Sequence, residues 1–251
     1  MMYVRRIFLV VGLVSGLIFG CAVPKHTADE AIKAQKERAM SQKLGVRFES
    51  MVDKVNSKTL SNYLETVFTR LQESSPSVIP IDNSLLLRIE ILKRIPQNKW
   101  SNFAFPNRGF YLSLGLLKTF EYESEIAAVL AIQMAHLNQR DLLEKVSLVS
   151  QPGPDVGFFG SKGVFAFSQE NEVSAIKSAV GILYRAGYDS RGVISVCERY
   201  KENLKKSPYS NEALDVFIET ARREIALYSP VRNPIVRTSE FIKMNRLLRN
   251  L

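Results

Sequence analysis

A long apolar segment near the middle of the chain constrains the fold more than any other feature. From Glu121 to Val149 the apolar side chains recur at helical spacing and lie on overlapping faces, which predicts one long helix. Its central stretch reads AAVLAIQMAH and ends at His136, the only histidine after residue 26. The chain beyond residue 45 is long enough to bury a core of ordinary size around this helix.

The patterns on either side of this helix predict an α+β fold. Alternating apolar and charged residues predict a strand within residues 85–96. Residues 101–117 indicate two strands joined by a turn at positions 106–109, and residues 150–163 are a Gly/Pro-rich loop. Further helices are predicted within 60–71, 169–186 and 191–205, and in the tail from Asn211, which Pro230 and Pro234 interrupt. We therefore expect a mostly helical domain with a small β-sheet before the central helix.

The first residues have the pattern of an export signal. Arg5 and Arg6 precede an apolar run from Ile7 to Phe19, which is shorter than the roughly 20 residues that a membrane-spanning helix needs. Cys21 follows Gly20 directly, as in the bacterial lipoprotein signal, and this resemblance implies cleavage before Cys21 and lipid on that residue. Phe19 departs from the usual small residue, so an ordinary signal peptide or an uncleaved anchor remains the alternative.

This interpretation divides the chain into three parts: a lipoprotein signal peptide (1–20), a polar tether (21–45) and one domain (46–251). The tether is rich in Ala and Lys and carries a helical segment, with Thr27 or Asp29 as its N-cap. Ala22 after the lipidated cysteine favours the outer membrane, and we expect the protein at its periplasmic face, in the cell envelope.

The charge and the cysteines narrow the classes of partner. The chain has a net charge of +9, and loss of Arg5 and Arg6 with the leader leaves +7. This balance favours anionic partners such as phospholipid headgroups. Nucleic acid is not expected, because the protein is exported and has no compact basic run with interleaved aromatic residues. Cys197 is the only cysteine besides Cys21, and its apolar neighbours predict a buried, inert thiol.

Four stretches, in order, resemble the zinc metallopeptidases of the CAAX prenyl endopeptidase and HtpX-like family, which includes periplasmic metalloproteases. They are NFAFPNRGFYLSLGLL (102–117), ESEIAAVLAIQMAH (123–136), ENEVSAIKSAVGILYRAGYDSRG (170–192) and YSPVRNPIVRTSEFIKMNRLL (228–248). The resemblance runs from about residue 61 to 248. It implies a zincin-like metallopeptidase fold in which His136 and Glu172 face each other across two helices.

The residues that depart from the family pattern lie at the positions that bind zinc or activate water in that family. The family's H-E-x-x-H motif supplies two zinc ligands and a general base. Here Ile132 replaces the first ligand and Gln133, a neutral amide, replaces the base, while His136 and Glu172 keep the other two ligand positions. Ile176 stands where a supporting Asp is expected. We therefore expect no catalytic residue, no zinc and a dry, packed pocket.

The sequence also allows two other interpretations of His136. His136 can be a core histidine that hydrogen-bonds Glu172 without a function, and His26 on the tether is the only other histidine that could complete a metal site.

The function that this pattern favours is a membrane-anchored pseudopeptidase that binds or scaffolds an unidentified envelope protein. The alternative is an active, divergent metalloendopeptidase that acts on envelope proteins and holds zinc.

Overall fold

The computed structural model describes residues 25–75, 88–95, 99–106, 109–142, 144 and 167–251. The predicted leader, Cys21, residues 85–87 and the loop predicted at 150–163 lie outside these residues. The chain divides into two compact units, residues 1–35 and residues 36–251.

Helices make up most of the described chain. They are α1 (Lys25–Glu49), α2 (Lys58–Glu73), α3 (Leu114–Leu117), α4 (Glu123–Gln139), α5 (Gln169–Arg185), α6 (Gly192–Glu202), α7 (Asn211–Ile225) and α8 (Ser239–Arg249). Helix α1 covers most of the stretch predicted as a tether, and its last turns bury Leu44 and Phe48. None of the helices described combines the length and apolar character that crossing a bilayer requires.

Four strands form one mixed sheet: β1 (Asp53–Lys54), β2 (Arg88–Arg94), β3 (Phe103–Phe105) and β4 (Gly109–Ser113). Their order is β1-β2-β4-β3, with β2 parallel to β4 and both outer strands antiparallel to their neighbours. The predicted hairpin of residues 101–117 is confirmed, except that its last residues form α3 instead of strand. The α+β class predicted from the sequence is also confirmed.

Side chains alternate between the two faces of the sheet, because successive residues of a strand point in opposite directions. Phe110 and Leu112 of β4 join the main core, which packs α2 and α4 to α8 on one face. Tyr111 points the other way, to a smaller core where the Phe48 ring of α1 meets the rings of Phe103 and Phe105. The sheet is therefore covered on both faces.

Helix α4 lies at the centre of the main core. Its residues from Ile126 to Ala131 are buried on every side, as a helix that is apolar all round must be. The prediction of one unbroken helix from Glu121 to Val149 was wrong: α4 is separated by Arg140 from a further helical segment at residues 141, 142 and 144, and residues 145–149 lie outside the described residues. The helix starts at Glu123 because Glu125 caps the backbone N–H groups of Glu121 and Tyr122, and it ends at Gln139 because Arg140 has left-handed backbone angles. The prediction for 169–186 is confirmed, since α5 differs from it by one residue.

Candidate functional site

His136 lies in the last turns of α4, buried between two carboxylates. Its Nδ1 is 2.7 Å from Oδ2 of Asp141, and its Nε2 is 3.3 Å from Oε2 of Glu172. The Asp141 contact has hydrogen-bond geometry, whereas Nε2 makes no well-directed hydrogen bond to any of the described residues. The prediction that His136 and Glu172 face each other is confirmed, and both side chains are less than a tenth exposed.

A left-handed turn brings Asp141 back to the histidine. Arg140, with φ 59°, is the only non-glycine residue with positive φ in the described chain, and it reverses the backbone just after α4. Asn171 of α5 then donates from Nδ2 to Oδ1 of Asp141 at 2.7 Å, which fixes the carboxylate from its other side. Asp141 was not among the site residues predicted from the sequence. The only sequence feature that could have indicated it is an acidic residue five positions after the histidine. In an unbroken helix, that side chain would point away from His136.

Glu172 is placed by the first turn of α5 and held by a tyrosine. Ser168 caps this helix by accepting from the N–H of Asn171 at 3.2 Å. Tyr209 then donates from its hydroxyl to Oε1 of Glu172 at 3.2 Å. Burial, followed by the charge of Glu172, raises the pKa of Tyr209 well above its ordinary value, so its proton stays in place as the donor.

The environment of the imidazole favours its protonated form. Burial by itself lowers the pKa of His136, but the neighbouring charges of Glu172 and Asp141 outweigh it and raise the pKa to about 9. The Phe167 ring also stacks on the imidazole, with centroids 4.4 Å apart. At neutral pH, His136 is therefore an imidazolium clamped between an aspartate and a glutamate.

A cavity of about 30 Å³ lies beside this cluster, at the positions where the sequence departs from the family pattern. Ile132, Gln133 and Ile176 line it together with Glu172, and it has room for about one or two water molecules. The Gln133 side chain is 7 % exposed and makes no hydrogen bond within the described part of the chain. Isoleucine side chains therefore line the cavity next to polar groups, among them Glu172 and the amide of Gln133.

Cys197 lies on the α6 side of the same cavity. Burial, and then the nearby charge of Glu172, raises the pKa of its thiol to about 12. The prediction that this cysteine is buried is confirmed. A thiol with this pKa is not a nucleophile at neutral pH, so the cavity contains no activated group of this kind.

A metal site needs several donor side chains directed at one point. Among the described residues, no group of three His, Cys, Asp or Glu side chains is arranged to hold a metal ion. Ile132 offers no donor atom, and both imidazole nitrogens of His136 face carboxylates. The side chain of His26 and all of Cys21 lie outside the described residues.

Comparison with known proteins gives distant similarity to proteases. The chain is 24 % identical over 186 residues to the Beta-barrel assembly-enhancing protease of Escherichia coli (strain K12), which covers 64 % of this chain and 36 % of that protein. It is 23 % identical over 205 residues to the protein of the same name in Yersinia pestis, covering 71 % of this chain and 40 % of the relative. No family model matches the chain.

The similarity supports a metallopeptidase-like family for this chain. The chain spans well under half the length of these relatives.

Proposed function

We propose that this protein is a zincin-like metallopeptidase body that has lost zinc and hydrolysis and acts by binding. The observation that carries the proposal is the clamped imidazole. His136 directs one nitrogen at Asp141 and the other at Glu172, while Ile132 occupies the first ligand position with hydrocarbon. Catalytic zinc sites have three protein ligands, and here only two of the three positions carry a donor.

The surroundings of Glu172 support the same conclusion. Tyr209 donates to Oε1 of Glu172, and Oε2 of the carboxylate lies 3.3 Å from Nε2 of His136, so both oxygens already face a group of this chain. Ile132 and Ile176 place hydrocarbon where the family pattern has a zinc ligand and a supporting carboxylate, so His136 and Glu172 alone would have to hold the ion. The residues present therefore do not fit a catalytic zinc site, which has three protein ligands.

The side chain of Gln133 favours a binding role over a catalytic one. Its amide cannot remove a proton from water, but it can donate and accept a hydrogen bond at the same time. A peptide group offers the matching donor and acceptor, and Gln133 is buried without such a partner in the described structure. We propose that the body of a former peptidase binds an envelope protein without cutting it.

The cellular setting is the remaining part of the proposal. The relatives are named for enhancing β-barrel assembly, and this chain begins with an export-like leader and Cys21. We propose a lipid-anchored protein at the periplasmic face of the outer membrane, a scaffold for an envelope protein and not a nucleic-acid binder.

Metal analysis of the purified protein tests the loss of zinc. We expect less than one zinc per chain after purification in zinc-containing buffer, and no cleavage of an unfolded protein such as casein. One tightly held zinc per chain together with cleavage would instead establish the active, divergent metalloendopeptidase.

A restored variant shows that the assay can detect zinc on this scaffold. Ile132→His with Gln133→Glu returns the first ligand and the general base, and the variant should bind more zinc than wild type. Gln133→Glu alone is the matched control, since it adds a carboxylate but no ligand at position 132, and it should stay at the wild-type level.

The anchor is tested separately, by fractionating cells. Wild-type protein should stay with membranes in high salt, because several acyl chains each contribute about 0.8 kcal/mol per buried CH₂. Cys21→Ser should either release the protein or keep the leader uncleaved. Release of wild-type protein by salt alone would contradict lipid anchoring.

A further inference from the structure

We propose that the outward face of α8 docks on anionic phospholipid headgroups. This C-terminal face consists of Ile242, Lys243, Arg246, Leu247 and Arg249, all of which are exposed. At about 100° per residue, these five positions fall on one side of the helix, within an arc of about 160°. The opposite side carries Phe241, Met244, Asn245 and Leu248, which are buried or half-buried.

The buried side of α8 prevents the helix from turning. Phe241 and Leu248 belong to the main core, and Asn245 donates from Nδ2 to the backbone oxygen of Phe120 at 2.8 Å. Thr238 caps the first turn by accepting from the N–H of Phe241 at 3.1 Å. Ile242 and Leu247 are therefore held outward, 36 % and 43 % exposed, and cannot be buried by rotation of the helix.

The charges on this face lack partners in the described protein. Lys243, Arg246 and Arg249 form no ion pair with any residue that the structure describes, unlike Arg199 and Lys201, which pair with acidic residues. The one acidic residue at the edge of the face is Glu240, whose carboxylate accepts from the Ser239 hydroxyl and also interacts electrostatically with Lys243 without forming a close ion pair. The C-terminal face is thus cationic and partly apolar.

An anionic bilayer surface complements both properties at once. Phosphate groups attract the lysine and arginine side chains, and the boundary of the acyl chains accepts Ile242 and Leu247. Basic residues contribute about 1 kcal/mol each at such a surface, so three of them favour docking even with only two apolar contacts. This inference does not depend on the proposed loss of zinc or on lipid at Cys21.

A fluorescent label on the C-terminal face tests the docking. The full chain with Cys21→Ser and Leu247→Cys is labelled at position 247 with the environment-sensitive dye NBD. Cys197 stays unlabelled because it is buried. The labelled chain is then attached to lipid vesicles by its own apolar leader. We expect stronger, blue-shifted emission in vesicles that contain phosphatidylglycerol than in vesicles of phosphatidylcholine alone. The same label at Lys177→Cys, an exposed position of α5, should give equal emission in both.

Charge variants separate the face from the total charge. In the labelled chain, each of Lys243→Gln, Arg246→Gln and Arg249→Gln alone should lower the ratio of docked to undocked protein about fivefold, and the triple variant that combines them should lower it further. The matched triple variant Lys93→Gln, Lys177→Gln and Lys205→Gln removes the same charge from exposed positions elsewhere and should change the ratio far less than the triple variant of the C-terminal face.

Two outcomes would overturn the proposal. One is emission at Leu247→Cys that is the same in both kinds of vesicle, which would assign the C-terminal face to a protein partner or to solvent. The other is equal weakening by the two triple variants, which would show that only net charge matters.

Discussion

His136 combines deep burial with a positive charge, and the two carboxylates beside it are the reason. Burial disfavours the imidazolium, yet Glu172 and Asp141 stabilise it so strongly that its pKa rises to about 9. In the unfolded chain the pKa of the same ring is about 6.5. The cluster therefore binds a proton more tightly in the folded protein than in the unfolded one.

This difference predicts a stability that depends on pH. Because the folded-state pKa is raised, the contribution of His136 is fully present below pH 6.5 and is lost as the pH rises through about 9. We expect the free energy of unfolding to fall by up to about 3 kcal/mol across that window. Urea unfolding at a series of pH values measures it, and His136→Gln should remove most of the dependence.

Replacing a single carboxylate gives the control for that prediction. Asp141→Asn keeps the shape of the side chain but removes one charge, so the pKa of His136 should fall, as an NMR titration of its ring would show. The chain has two histidines, and His136→Gln identifies the signal. A pKa unchanged by Asp141→Asn would contradict the role assigned to Asp141.

Close packing between α4 and α6 depends on one glycine. A Cβ atom added at Gly192 would lie 2.3 Å from the backbone oxygen of Ser124, which is too close for any carbon atom. We predict that Gly192→Ala lowers the free energy of unfolding by about 1–3 kcal/mol, as overpacking does elsewhere. Chemical denaturation measures the change.

Gly181→Ala in α5 is the matched control for Gly192→Ala. Its Cβ would meet only the hydroxyl end of Tyr228 and the tip of Arg185, which are side-chain atoms that can move. This variant should be close to neutral, because alanine is also the better helix former. Equal losses for the two variants would refute the packing argument.

Periodicity predicted the elements better than it predicted their ends and pairings. The helical spacing of 169–186 placed α5 within one residue, since most of that pattern is a simple buried stripe. The end of α4 was not predictable in this way, because it depends on one left-handed residue, Arg140, that changes no apolar spacing. The parallel pairing of β2 with β4 likewise depends on contacts distant in sequence, which no local pattern encodes.

The candidate site shows the same difference between what a sequence pattern predicts and what depends on individual contacts. The family resemblance predicted that His136 and Glu172 meet, because it carried information about positions far apart in the chain. It gave no sign of Asp141, Asn171 or Tyr209, which hold the two side chains in this particular protein. A motif does not specify the residues that support a site through local turns and single hydrogen bonds.

At the scale of the whole molecule, a buried carboxylate joins the C-terminal segment to the central helix. Glu123 in the first turn of α4 accepts from the hydroxyls of Tyr188 and Thr238, and its own N–H donates to the backbone oxygen of Val236. Thr238 also caps α8. One threonine therefore connects parts of the chain that are more than a hundred residues apart in sequence.

We predict that Thr238→Val lowers the free energy of unfolding by about 2–4 kcal/mol. The change removes a helix cap, which is worth about 1 kcal/mol, and leaves a buried carboxylate with one donor fewer, at about 1–3 kcal/mol. Ser210→Ala is the control: it removes the matching cap of α7, where no buried carboxylate is involved, and should cost about 1 kcal/mol. Denaturant unfolding compares the two, and equal effects would rule out the contribution of Glu123.

The sheet order has a consequence for self-association. In the part of the chain that the structure describes, its outermost strands are β1, with two residues, and β3, with three. Strands this short present few free backbone N–H and C=O groups, so they are poor templates for another strand. Short edge strands are one way in which proteins avoid pairing edge to edge. The longer strands, β2 and β4, lie inside the sheet with neighbours on both sides. Aggregation through strand addition is therefore disfavoured by the order of the strands, even at β3, which has neither a charged residue nor a proline to guard its edge.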